Sequence, residues 1–255
     1  MSEHKSREQR ILEGIALWAG FYRCHPHRWV KDFLHVDLYL FQKILLNLMN
    51  WFPAFVFIAA RGIGKTFLSA VFCVFRCILY PGTKICIASG TVGQSVNVLE
   101  KITTELIPNS PELSREIKEG GIQIQNSKAM ITFKNGSFIK VVTARDSARG
   151  NRATLLLVDE FRMIPEEIIS TILKKFLTSR RMPPYLKLRE FSHLQEPNKV
   201  LYLSTYLQPI SKITGRTHGQ WTHASSCLTT DALVVLRVVC HISCLYTRDI
   251  SPRKI

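Results

Sequence analysis

The sequence predicts an α/β fold in which a mainly parallel sheet is flanked by helices and carries an antiparallel hairpin insertion. Three observations support this fold class. Short, wholly apolar runs recur along the chain, which is typical of strands buried on both faces of a parallel sheet. Segments with apolar residues at helical spacing alternate with these runs, as in successive βαβ units. Asn135 and Gly136 lie between two further apolar runs and form a strong hairpin signal.

The N-terminal residues predict two helices separated by a basic loop. Residues 10–21 place apolar side chains at helical spacing, and residues 38–50 do so again. The intervening residues 23–28 are rich in basic side chains and contain Pro26, which favours a loop. Asp37 lies just before the second apolar segment, so we expect it to cap that helix.

From residue 54 onwards, predicted strands and helices alternate. An antiparallel insertion of three short strands is expected where two turn signals lie close together. We also expect the first core strand to lie beside the strand at 155–158. The predicted core strands are 54–59, 84–88, 155–158 and 200–203, the insertion strands are 122–124, 129–133 and 137–142, and the helices are 67–79, 94–106 and 166–177.

The strongest motif is AARGIGKT at 59–66, which lies between an apolar strand and an apolar helix, the context of a phosphate-binding loop. Lys65 would reach the β- and γ-phosphates of a nucleotide, and the Thr66 hydroxyl would coordinate Mg²⁺. Ala59 stands where the motif usually has its first glycine, so a chance Gly-Lys-Thr at a helix start is the alternative. The residues expected to contact the nucleotide are Ala60, Arg61, Gly62, Ile63, Gly64, Lys65 and Thr66.

Two acidic residues, Asp159 and Glu160, directly follow the apolar run 155–158. A buried parallel strand would deliver both carboxylates to the carboxyl edge of the sheet, where α/β folds bind ligands. We expect Asp159 to hold Mg²⁺, directly or through water, and Glu160 to orient and deprotonate an attacking water. For this pattern taken alone, a capping acidic pair is the alternative.

Three further polar residues are candidates for nucleotide contacts. Ser204 and Thr205 follow the strand at 200–203, and such hydroxyls can sense a γ-phosphate and pass its loss to a moving domain. A plain strand end is the alternative for this pair. Gln42 lies upstream of the loop, where its amide could read an adenine edge; a solvated helix residue is the alternative.

Charge and composition limit the expected partners. Lys and Arg number 34 against 19 acids, a formal charge of +15, which favours a polyanionic partner such as nucleic acid. No secretory signal or membrane-length apolar run is visible, so we expect a cytoplasmic protein without a membrane partner. The residues that could follow a phosphate backbone, or simply form a solvated basic face, are Arg23, His25, His27, Arg28, Arg180, Arg181 and Arg189.

Two groups of cysteines could in principle bind a metal. Cys73 and Cys77 are four residues apart on a predicted apolar helix, where buried core thiols are the expected interpretation. The second group has zinc-like composition but a spacing that fits no zinc ribbon or finger, and comprises Cys227, Cys240, His241 and Cys244.

Taken together, the motifs resemble the large terminase subunits of tailed bacteriophages, the DNA-packaging ATPases. The resemblance covers residues 11–205 and depends on the order and spacing of its parts. An arginine inside the phosphate loop, here Arg61, is common in that family. The matching segments are the upstream Gln42, ARGIGKT at 60–66, KICIASGT at 84–91 with GQSVNVLEKI at 93–102, ITFKNGS at 131–137, SARGNRA at 147–153, LLLVDEF at 155–161 and LYLST at 201–205.

The resemblance implies a RecA-like phosphate-loop NTPase that uses ATP and Mg²⁺ to drive double-stranded DNA into a preformed capsid in the bacterial cytoplasm. It implies a homo-oligomeric ring as the active form, with the portal protein and the small terminase subunit as partners. In the family, arginines near the nucleotide complete the site in cis or from a neighbouring subunit. Arg61 and Arg149 are the matching positions, and with Lys65 and Glu160 they are the expected catalytic residues.

The resemblance also divides the chain. Residues 1–207 are expected to form the terminase-like ATPase domain, and 208–255 an atypical basic tail that is not a folded domain. The family's nuclease domain is expected to be absent, as in a frame-shifted or degraded prophage gene, so no DNA cleavage is expected. The alternatives are another RecA-like DNA-dependent ATPase or helicase, or a remnant that binds nucleotide or DNA without turnover.

Overall fold

The computed structural model of the chain describes residues 6–60, 62–125, 128–145, 148–183, 186 and 195–205. The tail at 208–255, including its cysteine group, therefore lies outside the described residues. Within them, seven strands form one sheet in the order β1-β7-β6-β2-β5-β4-β3. The strands are β1 (Ala54–Ala59), β2 (Lys84–Ser89), β3 (Ile117–Gln125), β4 (Lys128–Phe133), β5 (Phe138–Thr143), β6 (Leu155–Val158) and β7 (Lys199–Thr205).

The sheet is mainly parallel, as the sequence predicts. Strands β1, β7, β6, β2 and β5 all run in the same direction. Strand β4 is antiparallel to β5, and β3 is antiparallel to β4, so a hairpin extends one edge of the sheet. The third strand of the predicted insertion, β5, is therefore also a core strand, because it pairs in parallel with β2.

The predicted neighbour relationship between β1 and β6 is wrong, because β7 lies between them. Val56 of β1 pairs with Tyr202 of β7, and Val158 of β6 pairs with the same Tyr202 from the other side. The physical reason is that strands buried on both faces are all apolar, so local pattern carries no information about which strand is adjacent. The order depends on how the crossover connections pack against the sheet.

Helices cover both faces of the sheet. Helix α5 continues into a π-helical turn at Ile102–Leu106, and α8 continues into another at Ile169–Leu173 followed by a 3-10 segment, Lys174–Thr178. The helices are α1 (Arg7–Cys24), α2 (Pro26–Leu34), α3 (Leu40–Trp51), α4 (Lys65–Leu79), α5 (Val92–Lys101), α6 (Ile107–Asn109), α7 (Pro111–Glu116) and α8 (Glu166–Ile168).

Two expectations about the N-terminal helices are corrected. Pro26 does not lie in a loop: it begins α2, where proline is tolerated because the first helical N–H has no intrahelical acceptor. Asp37 does not cap the next helix, which begins at Leu40. Its carboxylate lies 3.4 Å from the Lys31 ammonium instead.

The sheet separates two apolar clusters, and strand β6 contributes to both. Leu155 and Leu157 pack into the cluster formed with helices α2, α3 and α4, whereas Leu156 and Val158 pack into the cluster of the opposite face. Strand β6 is thus buried on both faces, and its register fixes where the following residues emerge. Among the described residues, no helix is long and apolar enough to cross a membrane.

Candidate active site

Three of the predicted motifs meet at the carboxyl edge of the sheet. Strand β1 leads into the glycine-rich loop, β6 leads into Asp159 and Glu160, and β7 ends at Ser204 and Thr205. Because β1, β7 and β6 are adjacent and parallel, their carboxyl ends lie side by side. This edge is the usual position of ligand sites in α/β folds.

The glycines of the loop have backbone conformations that other residues adopt at a cost. Gly62 has φ of 84° and Gly64 has φ of 86°, both in the left-handed region. Gly64 immediately precedes helix α4, and its carbonyl accepts the first intrahelical bond, from the Leu68 N–H at 2.9 Å. The loop therefore ends at a helix N-terminus, where unpaired backbone N–H groups and the helix dipole favour an anion. In this loop Ala60 is exposed, and Ile63 and Thr66 are half-buried.

The ammonium group of Lys65 lies across the start of the loop. Its Nζ donates to the carbonyl oxygens of Ala59 and Ala60, both at 2.9 Å. The same ammonium lowers the pKa of both Asp159 and Glu160, although it is the weakest of the influences on each. Lys65 and the two acids lie at the same edge of the sheet, where the ammonium favours the ionised form of both carboxylates.

Burial, followed by the neighbouring charge of Glu160, raises the pKa of Asp159 to about 6. The hydrogen bond from the Glu160 N–H to Asp159 Oδ1, at 3.1 Å, and the charge of Lys65 act in the opposite direction. Two adjacent carboxylates of which one resists ionisation form a site whose charge a divalent cation would balance. Carboxylate and hydroxyl oxygens suit Mg²⁺, which usually takes few protein ligands beside nucleotide phosphates.

Glu160 has a strained backbone and a tightly held side chain. Its φ and ψ are both 47°, in the left-handed region that a non-glycine residue rarely adopts. Its Oε2 accepts from the Ser204 hydroxyl at 3.1 Å and from the Thr205 N–H at 2.9 Å, and its Oε1 accepts from the Thr205 hydroxyl. Burial by itself would raise the pKa of Glu160, but these hydrogen bonds and Lys65 outweigh it and lower that pKa.

Ser204 and Thr205 lie at the expected edge of the sheet and make contacts that their sequence pattern does not indicate. In the structure both hydroxyls donate to the Glu160 carboxylate, so they hold the acid that the sequence assigns as general base. No sequence signal predicts this arrangement, because it depends on β6 and β7 pairing in parallel with their ends aligned.

Gln42 lies against the phosphate loop and is not a solvated helix residue. Its side chain is 7% exposed, and its Oε1 accepts from the Tyr39 N–H at 3.1 Å at the start of α3. A Cβ added to Gly64 would lie 3.2 Å from Gln42 Nε2, which shows how closely this amide approaches the loop.

Of the two candidate arginines, the structure describes Arg149 only. Arg61 lies outside the described residues. Arg149 is exposed, in the connection between β5 and β6, next to the buried Ala148 and to Gly150 with its φ of 90°. The side chain of Asn151 stiffens this turn, because its amide donates to the Ala148 carbonyl at 2.6 Å and its oxygen accepts from Lys140 at 2.8 Å.

The structure also shows the surroundings of the candidate metal-binding cysteines and of two candidate basic residues. Cys73 and Cys77 are fully buried, and burial raises the pKa of both thiols, that of Cys73 to about 12, so they are core residues. No group of three or more His, Cys, Asp or Glu suited to a metal occurs in the described part of the chain. Arg181 is 4% exposed and Arg23 donates to the Leu79 carbonyl at 2.9 Å, so neither is a free surface cation.

Comparisons with known proteins match this chain to large terminase subunits of phages. The family model described as terminase large subunit, T4likevirus-type, N-terminal, matches residues 56–187. The crystal structure of the HK97 bacteriophage large terminase superposes with a TM-score of 0.50 at 16% identity, covering 66% of this chain and 33% of that one. No curated protein matches the chain.

Two further solved structures resemble the chain more loosely. The large terminase ATPase domain of Thermus phage P74-26 gives a TM-score of 0.48 at 17% identity, covering 70% of this chain and 69% of that one. The large terminase of a thermophilic bacteriophage, in complex with ATP-gamma-S, gives a TM-score of 0.40 at 14% identity, covering 65% of this chain and 37% of that one. At these identities the similarity concerns the fold.

Proposed function

Because this chain belongs to the family of T4likevirus-type terminase large subunits, matching its N-terminal domain, we propose that it is a packaging ATPase. In this proposal residues 1–207 form the ATPase domain, bind ATP with Mg²⁺, and couple its hydrolysis to the movement of double-stranded DNA into a capsid.

The observation that carries the proposal is the convergence of the phosphate loop and the two acids at one edge of the sheet. Lys65 follows the loop after β1, Asp159 and Glu160 follow β6, and both strands pair in parallel with β7, so these distant parts of the chain lie side by side. A lysine for the phosphates and adjacent acids for a metal and a water are the parts that phosphoryl transfer needs. A chance Gly-Lys-Thr or a simple capping pair would not require this convergence.

The loop residues would bind and orient the nucleotide. A phosphate bound at this helix N-terminus would accept hydrogen bonds from the unpaired N–H groups in the first turn of α4. Lys65 would exchange its bonds to the Ala59 and Ala60 carbonyls for phosphate oxygens. Thr66 and Asp159 would hold Mg²⁺, which when bound neutralises charge on the β- and γ-phosphate oxygens. Gln42 lies beside Gly64, where its amide could contact the base.

Glu160 would act as the general base. Its lowered pKa keeps it ionised at neutral pH, so it can accept a hydrogen bond from a water and then a proton. In the reaction the water oxygen forms a bond to the γ-phosphorus while the bond from that phosphorus to the bridging oxygen breaks. The products are ADP and inorganic phosphate, and the proton of the water is taken up by Glu160.

Arginines would complete the site. Arg149 is exposed on a stiff turn, so it can reach the nucleotide of a neighbouring subunit in a homo-oligomeric ring. Arg61, in the loop itself, would act in cis. A trans arginine can contribute about 10³-fold or more to hydrolysis in phosphate-loop enzymes.

DNA translocation, the portal protein and the small terminase subunit extend this proposal beyond the ATPase reaction. The matched region spans 33% of the length of the HK97 large terminase, so activities of a whole terminase are carried to this chain as proposals. The formal charge of +15 supports a polyanionic partner such as duplex DNA.

Phosphate release from Mg·ATP by the purified full chain tests the proposal directly, at low and high protein concentration, with and without duplex DNA. Hydrolysis that requires Mg²⁺ and rises with DNA would support it. ATP binding without turnover under all these conditions would instead support the nucleotide-binding remnant. Lys65→Ala is the control, because it removes the phosphate contact and should reduce both binding and hydrolysis.

A further inference from the structure

The first helix carries an exposed apolar surface that the proposed function does not use. Every side chain that the structure describes between Arg7 and Trp18 is exposed. We call the apolar side chains of this surface the α1 patch, which comprises Ile11 (52% exposed), Ile15 (57%), Leu17 (76%), Trp18 (42%) and Phe21 (51%).

The described contacts that fix α1 to the body lie in its last turn. Tyr22 donates from its hydroxyl to Asp32 at 2.9 Å, and Arg23 donates from Nε to the Leu79 carbonyl at 2.9 Å. The Asn50 amide donates to the Arg23 carbonyl at 2.9 Å. The C-terminal end of α1 is thus held firmly, while the α1 patch is presented to solvent.

An unpacked helix of this composition is poorly stable by itself. Gly14 and Gly20 lie inside α1, and a Cβ on either would meet nothing within 4 Å, so neither glycine is required for close packing in the single chain. Each costs about 1 kcal/mol relative to alanine in a helix. Most helices in proteins depend on the packing of an apolar face, so we expect another surface to cover α1.

We propose that the α1 patch is the surface through which two copies of this chain associate, helix against helix. Charge favours this occupant. Although the whole chain carries +15, the part of α1 from Arg7 to Tyr22 has two arginines and two glutamates, Arg7, Glu8, Arg10 and Glu13. Two copies repel one another over most of their surface, but they can approach at this neutral helix.

The exposed area is sufficient for a reversible dimer. Large apolar side chains have roughly 200 Å² of surface each, and about half is exposed here, so the α1 patch offers about 500 Å² per copy. Paired patches would bury about 1,000 Å² in total, near the lower limit of specific interfaces. Apolar patches of this size are the largest that a typical monomer carries, and they are often functional. An isologous contact of this kind closes as a dimer, so it is separate from the contacts between neighbouring subunits of the proposed ring.

Sedimentation velocity on the full-length chain over a wide range of concentration tests the proposal. We expect a dimer whose fraction grows with concentration, and its loss in Leu17→Glu, because a charge would then lie among the apolar side chains of the contact. Leu17 is 76% exposed, so the fold should be retained, which circular dichroism checks. Met182→Glu is the matched control: Met182 is an exposed apolar residue outside α1, at 57%, and its variant should dimerise like the parent.

A parent chain that stays monomeric at every concentration would overturn the proposal, as would a Leu17→Glu variant that associates like the parent. A monomeric parent whose melting temperature falls in Leu17→Glu would show that residues of the same chain cover the patch, which also overturns it. The proposal does not depend on ATP hydrolysis. Nucleotide binding by monomeric Leu17→Glu separates failure of this interface from failure of the proposed function.

Discussion

The carboxylate of Glu160 accepts hydrogen bonds from both the backbone N–H and the hydroxyl of Thr205, which lies 45 residues further along the chain. Ser204 adds a third hydrogen bond, at 3.1 Å. These bonds hold a side chain whose backbone is in the left-handed region, a conformation that costs a non-glycine residue about 1–2 kcal/mol. The end of β7 therefore determines where the proposed general base lies.

We expect Glu160→Gln to retain nucleotide binding and to lose hydrolysis by ~10²-fold or more, because the amide can accept a hydrogen bond but cannot take up a proton. Nucleotide affinity and phosphate release measure the two effects separately. Glu119→Gln, an exposed carboxylate on β3, is the matched control and should behave like the parent. Turnover of Glu160→Gln at the parental rate would remove Glu160 from the mechanism.

Thr205→Val removes the hydroxyl while keeping the branched shape and the backbone N–H. We expect hydrolysis to fall ~10-fold or more, since Glu160 loses a hydrogen bond to its charged group and its position loosens. Thr205→Ser restores the hydroxyl and should recover most of the rate, whereas a purely structural defect would persist. If the valine variant hydrolyses ATP at the parental rate, Thr205 does not position Glu160.

Gly64→Ala should weaken nucleotide binding and lower the free energy of unfolding by about 1–2 kcal/mol, because φ of 86° is unfavourable for alanine. The new Cβ would also lie 3.2 Å from Gln42 Nε2. Chemical denaturation and nucleotide titration measure the two losses. Gly14→Ala, inside α1 with open space around it, is the opposite case and should stabilise the chain. Equal effects of both substitutions would contradict this account of the loop.

Arg149→Ala should abolish the dependence of hydrolysis on neighbouring subunits. For the parent we expect specific activity to rise with protein concentration, because a trans arginine reaches the site only in an assembly. Mixing inactive Glu160→Gln with Arg149→Ala should restore activity, since each supplies what the other lacks. Activity that is strictly first-order in monomer and unaffected by Arg149→Ala would contradict the trans role.

The low pKa of the buried Lys199 predicts that the folded protein becomes more stable as the pH rises into the alkaline range. Burial, followed by the charge of Arg76, lowers the pKa of Lys199 from 10.5 to about 8, while Glu196 opposes the shift. The folded state therefore disfavours the ammonium, and that penalty is complete below pH 8 and is relieved as pH rises from 8 towards 10.5.

The measurement compares the free energy of unfolding of the parent with that of Lys199→Met across this pH range. At 1.36 kcal/mol per pKa unit, the free energy of unfolding of the parent should rise by about 3 kcal/mol relative to that of Lys199→Met across this range. The Lys199 ammonium also donates to the Asn50 carbonyl at 2.7 Å, so the variant has a constant offset that does not change with pH. A pH-independent difference would show that Lys199 does not titrate in this range.

The local elements and the phosphate loop could be predicted from the sequence because their signals are local. Apolar runs identify strands such as β6, and glycine at 62 and 64 meets a backbone requirement that few other residues can. The start of α2 at Pro26 was not predicted, because proline interrupts a helix or begins one depending on the residues around it.

The tertiary structure alone decided the strand order and the surroundings of Glu160. Strand β7 separates β1 from β6, which no periodicity encodes, since all three strands are apolar on both faces. That same pairing brings Ser204 and Thr205 to the Glu160 carboxylate. The sequence by itself determined which residues carry the chemistry, because a residue's chemical groups are local. Which of those groups touch was left to the packing of the sheet, because contacts between distant residues depend on the whole fold.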